Sequence, residues 1–213
     1  MSLDPIQPGA TLGVMGGGQL GRMFVHAAQR MGYFTAVLDP DASSPAGRVS
    51  HHHIQADYLG PQGLAQLAAV SAAITTEFEN VPAQALTTLA ATRPVAPGAS
   101  AVAIAQDRAK EKAHFQKCGV ACAPHAVIES QQQLDAVGDD LLPGILKTSR
   151  LGYDGKGQQR VKTREELARA WAGLQHSAAS GSIFSSTQGT CWSPAQARAS
   201  SSRVLTRCWP LPS

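Results

Sequence analysis

A chain of 213 residues can bury a core in one large or two small domains, and its 43% hydrophobic content holds no apolar run near the ~18 residues with which a helix crosses a bilayer, so a soluble protein is expected. The net charge of +3 is carried by Arg198, Arg203 and Arg207, because residues 1–175 hold 15 basic and 15 acidic side chains; that balance leaves no electrostatic footprint for nucleic acid. The N-terminus MSLDPIQPGA lacks the basic and apolar stretches of a signal peptide, and the four cysteines show neither CxxC spacing nor a histidine at a metal-ligand interval, so free thiols in a reducing cytoplasm are expected.

In chain order, Thr11–Met15 reads as a strand, Gln19–Met31 as a helix and Phe34–Asp39 as a second strand. A third short strand fits near Ile54, a helix follows Pro61, and Ala72–Thr76 reads as a fourth strand. This alternation predicts an α/β domain with a parallel sheet covered by helices on both faces. Pro94, Pro97 and Gly98 mark a break, after which SAVAIAQDRAKEKAHFQKCG reads as two helical stretches. Ala126–Ile128 and Gly144–Ser149 look like strands, while Ser130 with Gln133 and Thr163 with Glu166 fit capping boxes that open helices. Trp171 and Phe115 are expected in the core.

From residue 176 onward the composition changes. Ten serines fall in the last 38 residues against eight in the preceding 175, with no acid, no lysine and no amphipathic period. Two readings stay open for this stretch: an out-of-frame translation product, or a natural flexible extension.

Three segments point to chemistry. In GGGQLG, Gly16, Gly18 and Gly21 satisfy GxGxxG after the first strand, where glycines permit a tight turn and the following helix offers its N–H groups to an anion. Asp39 closes the second strand about twenty residues on, where a dinucleotide-binding turn keeps its ribose acid. In TTEFENVP, Glu77 and Glu79 lie just past a strand's carboxyl end, the edge where open α/β sheets bind ligands; capping of the next helix is the alternative. In LKTSRLGYDGKGQ, Lys147 sits on a strand, and Gly152, Gly155, Gly157 and Lys156 form a hairpin able to fold over phosphates. It lies between two strands, so it is not a Walker loop. Arg108, near a helix start, is the cation singled out from QDRAKEKAHFQKCGV. His51, His52 and His53 alternate faces on a strand and are a poor chelate.

Together LGVMGGGQLGRM, LDPDASSPAG, TTEFENVP, QDRAKEKAHFQKCGV and ILKTSRLGYDGKGQQRV resemble the N-terminal half of the 5-(carboxyamino)imidazole ribonucleotide synthase family, ATP-grasp ligases of purine biosynthesis. The resemblance covers about residues 10–175. It implies a Rossmann-like pre-ATP-grasp domain over residues 1–98 and a partial ATP-grasp subdomain over 99–175, and it leaves residues 176–213 as an atypical Ser-rich tail outside that fold, expected to be unstructured. The implied reaction is ATP-dependent carboxylation of aminoimidazole ribonucleotide with bicarbonate through carboxyphosphate. By motif match, Arg108, Lys147, Gly152, Tyr153, Asp154, Gly155, Lys156, Gly157 and Gln158 would contact ATP. Gly18, Gln19, Leu20 and Glu77 would line the ribonucleotide pocket, with Tyr153 and Asp154 reaching it from the hairpin. Magnesium (Mg2+) is implied with ATP, but the family's metal-holding acids lie beyond the point where this sequence departs, so no metal ligand is assigned and the chain is expected to be inactive or nearly so. The family tends to form homodimers, and neither nucleic acid nor membrane is an expected partner. Two rival readings remain: an NAD-binding Rossmann oxidoreductase using Gly16, Gly18, Gly21 and Asp39, and a non-catalytic nucleotide-binding fragment.

Overall fold

In the computed structural model, which describes residues 5–150, 157–175 and 181–186, the chain divides into two units, Met1–Ala103 and Ile104–Ser213. The first is built on β1 (Thr11–Met15), β2 (Phe34–Leu38), β3 (His52–Ile54) and β4 (Ala73–Thr76), all parallel and in the order β3-β2-β1-β4. Parallel neighbours need crossovers. Helices α1 (Gln19–Arg30) and α2 (Pro61–Val70) serve two of them, and α3 (Ala83–Ala90) and α4 (Ala99–Ala105) follow β4.

Successive side chains on a strand point to opposite faces, and here both faces are covered. Met15, Leu38, Ile54 and Ile74 pack with Leu64 and Leu67 of α2, Leu86 and Leu89 of α3 and Val102 of α4. Val14 and Val37 pack the other way, with Val25 of α1 and Ala46. Double coverage explains why TLGVM and FTAVL read as continuous apolar runs, each buried large aliphatic contributing about 1.5–3 kcal/mol. The chain leaves β1 toward β2 and β3, then returns to β1's other side for β4. The order therefore reverses between β1 and β4, and a crevice is expected beyond the carboxyl ends of those two strands.

The second unit contains α5 (Arg108–Lys117), β5 (His125–Ile128), α6 (Gln131–Asp135), β6 (Gly144–Thr148), β7 (Gln158–Val161), α7 (Arg164–Gln175) and β8 (Ser182–Ser186). Its sheet is antiparallel throughout, in the order β5-β8-β6-β7. Leu167, Ala170 and Trp171 of α7 close over Ile128, Leu146, Val161 and Phe184. The side-chain caps form as the spacing predicts: Ser130 Oγ accepts the Gln133 N–H at 3.3 Å, and Thr163 Oγ1 accepts the Glu166 N–H at 3.3 Å. Among the described residues, no helix is long and apolar enough to cross a membrane.

Three expectations need correction. The Ser-rich stretch starting at residue 176 was expected to be unstructured, yet Ser182–Ser186 form the strand between β5 and β6; residues 187–213 lie outside the described ones. SIFSS shows no alternation because Ile183 and Phe184 are both buried, as a strand covered on both faces allows. Phe115 is not core: it is 39% exposed, and α5 buries no residue, since its apolar side chains form no stripe. The N-cap of α3 is Pro82, which makes no side-chain hydrogen bond. Finally, His114 does approach Cys118, at 3.6 Å from Nε2 to Sγ, as residues four apart on a helix do.

Candidate functional site

Between Met15 and Gln19 the chain must pass from strand to helix in three residues, all glycine. Gly16 takes φ +103°, a conformation that a side chain disfavours. Space is as limiting as torsion: a Cβ at Gly17 would lie 2.5 Å from Ser44 Cβ, and one at Gly18 2.6 Å from Glu77 Oε1.

The Gly16 N–H donates to the Leu38 carbonyl at 3.0 Å, and the other two amides of the turn are held by two carboxylates. Gly18 donates its N–H to Glu77 Oε1 at 2.7 Å, and Gly21 donates to Glu77 Oε2. Gly17 donates to Asp39 Oδ2 at 2.7 Å. The first turn of α1 contains no acid, and its N-cap is a glycine. Glu77, from the loop after β4, therefore supplies the negative charge that a helix N-terminus favours.

This arrangement overturns the dinucleotide reading. The helix N-terminus that would seat a pyrophosphate already holds a carboxylate, so a second anion would meet repulsion. Asp39, the acid expected to hold a ribose, is 9% exposed and turned inward. Beyond Gly17 it takes the Tyr58 hydroxyl at 2.6 Å on Oδ2 and the Asp41 N–H at 2.9 Å on Oδ1. The Tyr58 phenol is pushed well above its ordinary range, first by burial and then by its bond to Asp39 and the nearby charges of Asp39, Glu77 and Asp57. Sequence reasoning marked Asp39 but gave it the wrong partner, and it missed Tyr58, which lies in a loop with no motif.

Beside α1 a cavity of about 360 Å3 is lined by Leu12 and Val14 of β1, Leu20 and Phe24 of α1, Thr75 of β4, and Glu77. Leu20 is 61% exposed, and Gln19 is exposed beside it. Leu20 and Glu77 thus share this cavity and Gly18 is bonded to Glu77, whereas Gln19 lines a separate cavity of about 360 Å3 with Arg22, Ser43, Pro45, Arg48 and Val49. The histidines have separate partners: His51 Nδ1 lies 3.2 Å from the Thr35 nitrogen and His53 Nε2 lies 3.4 Å from Ser44 Oγ.

In the second unit, half-buried Lys147 sits near the end of β6, in register with Gln158 of β7. Gly157, at φ +67°, closes the base of the hairpin: its carbonyl accepts the Thr148 N–H at 2.8 Å, and a Cβ there would lie 2.8 Å from Thr148 Oγ1. Arg108 is tied to the same strand end, with its backbone N–H on Ser149 O at 2.9 Å and Nη1 on Thr148 O at 3.0 Å. Asp107 fixes the start of α5, accepting the Ala109 and Lys110 N–H groups at 3.0 and 3.3 Å, while Oδ2 lies 3.7 Å from Arg150 Nε. Arg108, Lys147, Gly157 and Gln158 are therefore gathered at one end of the second sheet. Gly152, Tyr153, Asp154, Gly155 and Lys156 lie outside the described residues. Among the described residues, no group of three or more His, Cys, Asp or Glu side chains could hold a metal ion.

Comparison with known proteins follows the same division. Residues 9–106 match the ribonucleotide synthetase preATP-grasp domain and residues 113–184 match the ATP-grasp domain. N5-carboxyaminoimidazole ribonucleotide synthase of Brucella melitensis is 46% identical over 167 residues, which are 78% of this chain and 46% of that protein. The Staphylococcus aureus N5-carboxyaminoimidazole synthetase complexed with ADP superposes with a TM-score of 0.80 at 34% identity, over 86% of this chain and 49% of that one. The Aspergillus clavatus synthase, in complex with ADP and 5-aminoimidazole ribonucleotide, gives a TM-score of 0.73 at 29% identity, over 84% of this chain and 47% of that one. The chain spans about half the length of the curated relatives it matches. Through its pre-ATP-grasp and ATP-grasp regions, the chain belongs to the N5-carboxyaminoimidazole ribonucleotide synthase family of ATP-grasp ligases.

Proposed function

We propose that the first unit binds aminoimidazole ribonucleotide and the second binds ATP, the two binding functions of an ATP-dependent carboxylation that uses bicarbonate. In that reaction ATP phosphorylates bicarbonate to carboxyphosphate, and the exocyclic amine of the ribonucleotide attacks the carboxyl carbon with loss of phosphate. Phosphoryl transfer of this kind depends mainly on positioning and on neutralising charge. Lys147 and Arg108 supply the positive charge in the second unit, and the backbone of Gly157 and Gln158 starts the phosphate-covering hairpin. The described residues offer magnesium no cluster of ligands, and no step is assigned to it.

The observation that carries this reading is the held carboxylate of Glu77. A carboxylate has about four acceptor positions, and the turn occupies two of them. The remaining lone pairs favour a ligand that brings donors, such as ribose hydroxyls or an amine, over one that brings a phosphate to the turn. Leu20 forms the adjoining wall. A cytoplasmic setting and a homodimer go with this reading of the family.

Calorimetric titration tests it. The chain is expected to bind ADP and aminoimidazole ribonucleotide; Lys147→Met should weaken ADP by about tenfold or more, the loss of a charged hydrogen bond, and leave the ribonucleotide unchanged. With ATP, bicarbonate and ribonucleotide present, phosphate release is expected to stay more than tenfold below that of a full-length relative. Failure to bind either ligand would reject the assignment.

A further inference from the structure

The Asp39 network has a geometry that burial alone does not call for. A carboxylate taken out of water is costly unless donors surround it, and an apolar side chain would fill the same space at less cost. Here three donors from three separate places converge on it: the Gly17 N–H, the Asp41 N–H and the Tyr58 hydroxyl. Gly17 is the middle residue of the turn, and a Cβ on it would lie 2.8 Å from Asp39 Cβ, so turn and acid are in direct contact. Tyr58 reaches the opposite wall as well: its ring meets Phe78 edge-on, with centroids 6.2 Å apart, and Phe78 follows Glu77 in the chain. The turn is therefore gripped from the β2 side by Asp39 and from the β4 side by Glu77, and one tyrosine braces both grips.

We propose that Asp39 and Tyr58 are positioning residues of the ribonucleotide pocket, fixing the Gly16–Gly18 turn so that Leu20 and the Glu77 carboxylate stand in the geometry that receives the ligand. The proposal rests on the reading that this pocket takes the ribonucleotide. Neither side chain needs to touch the ligand: Asp39 acts through the Gly17 amide, and Tyr58 acts through Asp39. The raised phenol keeps Tyr58 a donor across the physiological range.

The test is a pair of conservative substitutions in the full chain, Tyr58→Phe and Asp39→Asn, each titrated with aminoimidazole ribonucleotide and, separately, with ADP, alongside thermal melting. Tyr58→Phe removes one oxygen and keeps the ring, so it retains the fold even if Asp39→Asn does not. Tyr58→Phe is expected to weaken the ribonucleotide about five- to tenfold, the scale of one lost hydrogen bond, with ADP affinity held within twofold. Loss of melting temperature with unchanged ribonucleotide affinity would show a merely structural role and overturn the proposal, as would parallel weakening of both ligands. If the unsubstituted chain binds ADP and not the ribonucleotide, the pocket assignment itself falls and takes this proposal with it; that failure is recognisable because it precedes any substitution.

Discussion

Glu77 caps a helix from 59 residues away, a separation read directly from its bond to Gly18. Replacing it with Ala leaves two amide donors at the start of α1 without their acceptor, which should cost about 1–3 kcal/mol in urea unfolding; Gln keeps one acceptor oxygen and should lose less. Tyr58 gives a pH signature. Its folded pKa lies above the ordinary 10.0, so the folded state holds the proton more tightly than the unfolded chain does. The stability it adds is complete below the ordinary value and drains away as pH rises from there toward the folded one. An ultraviolet tyrosinate titration should show a late-ionising fraction that Tyr58→Phe abolishes. At this scale the sequence revealed which residues gather at the strand ends, because glycines and acids there break the apolar runs. It did not reveal that Asp39 and Glu77 serve the turn's own amides, because a carboxylate's partner many residues away leaves no local pattern.

Elements were legible in proportion to their local signals. β1, β2 and α2 have boundaries set by glycine, proline and a change of period, and the capping pairs at Ser130 and Thr163 form where the spacing puts them. Asp107→Ala removes a cap that accepts two amide bonds and should cost about 1 kcal/mol; its half-exposed ion pair with Arg150 adds little more. β8 was illegible because three of its five residues are serine and its two apolar residues are adjacent. Its weight is nevertheless large. Phe184 is fully buried, and Phe184→Ala should destabilise the second unit by about 3–5 kcal/mol in chemical denaturation.

At the level of the whole molecule, each unit has its own buried cluster and its own sheet, one parallel and one antiparallel. The α/β class and the parallel first sheet were readable from the alternation of runs. The second sheet's order was not, since nothing in the sequence says that its last strand belongs between β5 and β6. A chain ending at Ser180 should keep slow amide exchange in β1, β2 and β4, whose partners are all present, and lose it in β5, whose one partner among the described residues is β8, and in the amides of β6 that face β8 rather than β7. On the ribosome this becomes a matter of timing. The parallel sheet has every strand it needs once Thr76 has emerged, whereas β5 and β6 wait with open edges until residues 182–186 leave the exit tunnel, and through that interval the nascent second unit is the segment exposed to chaperones and proteases.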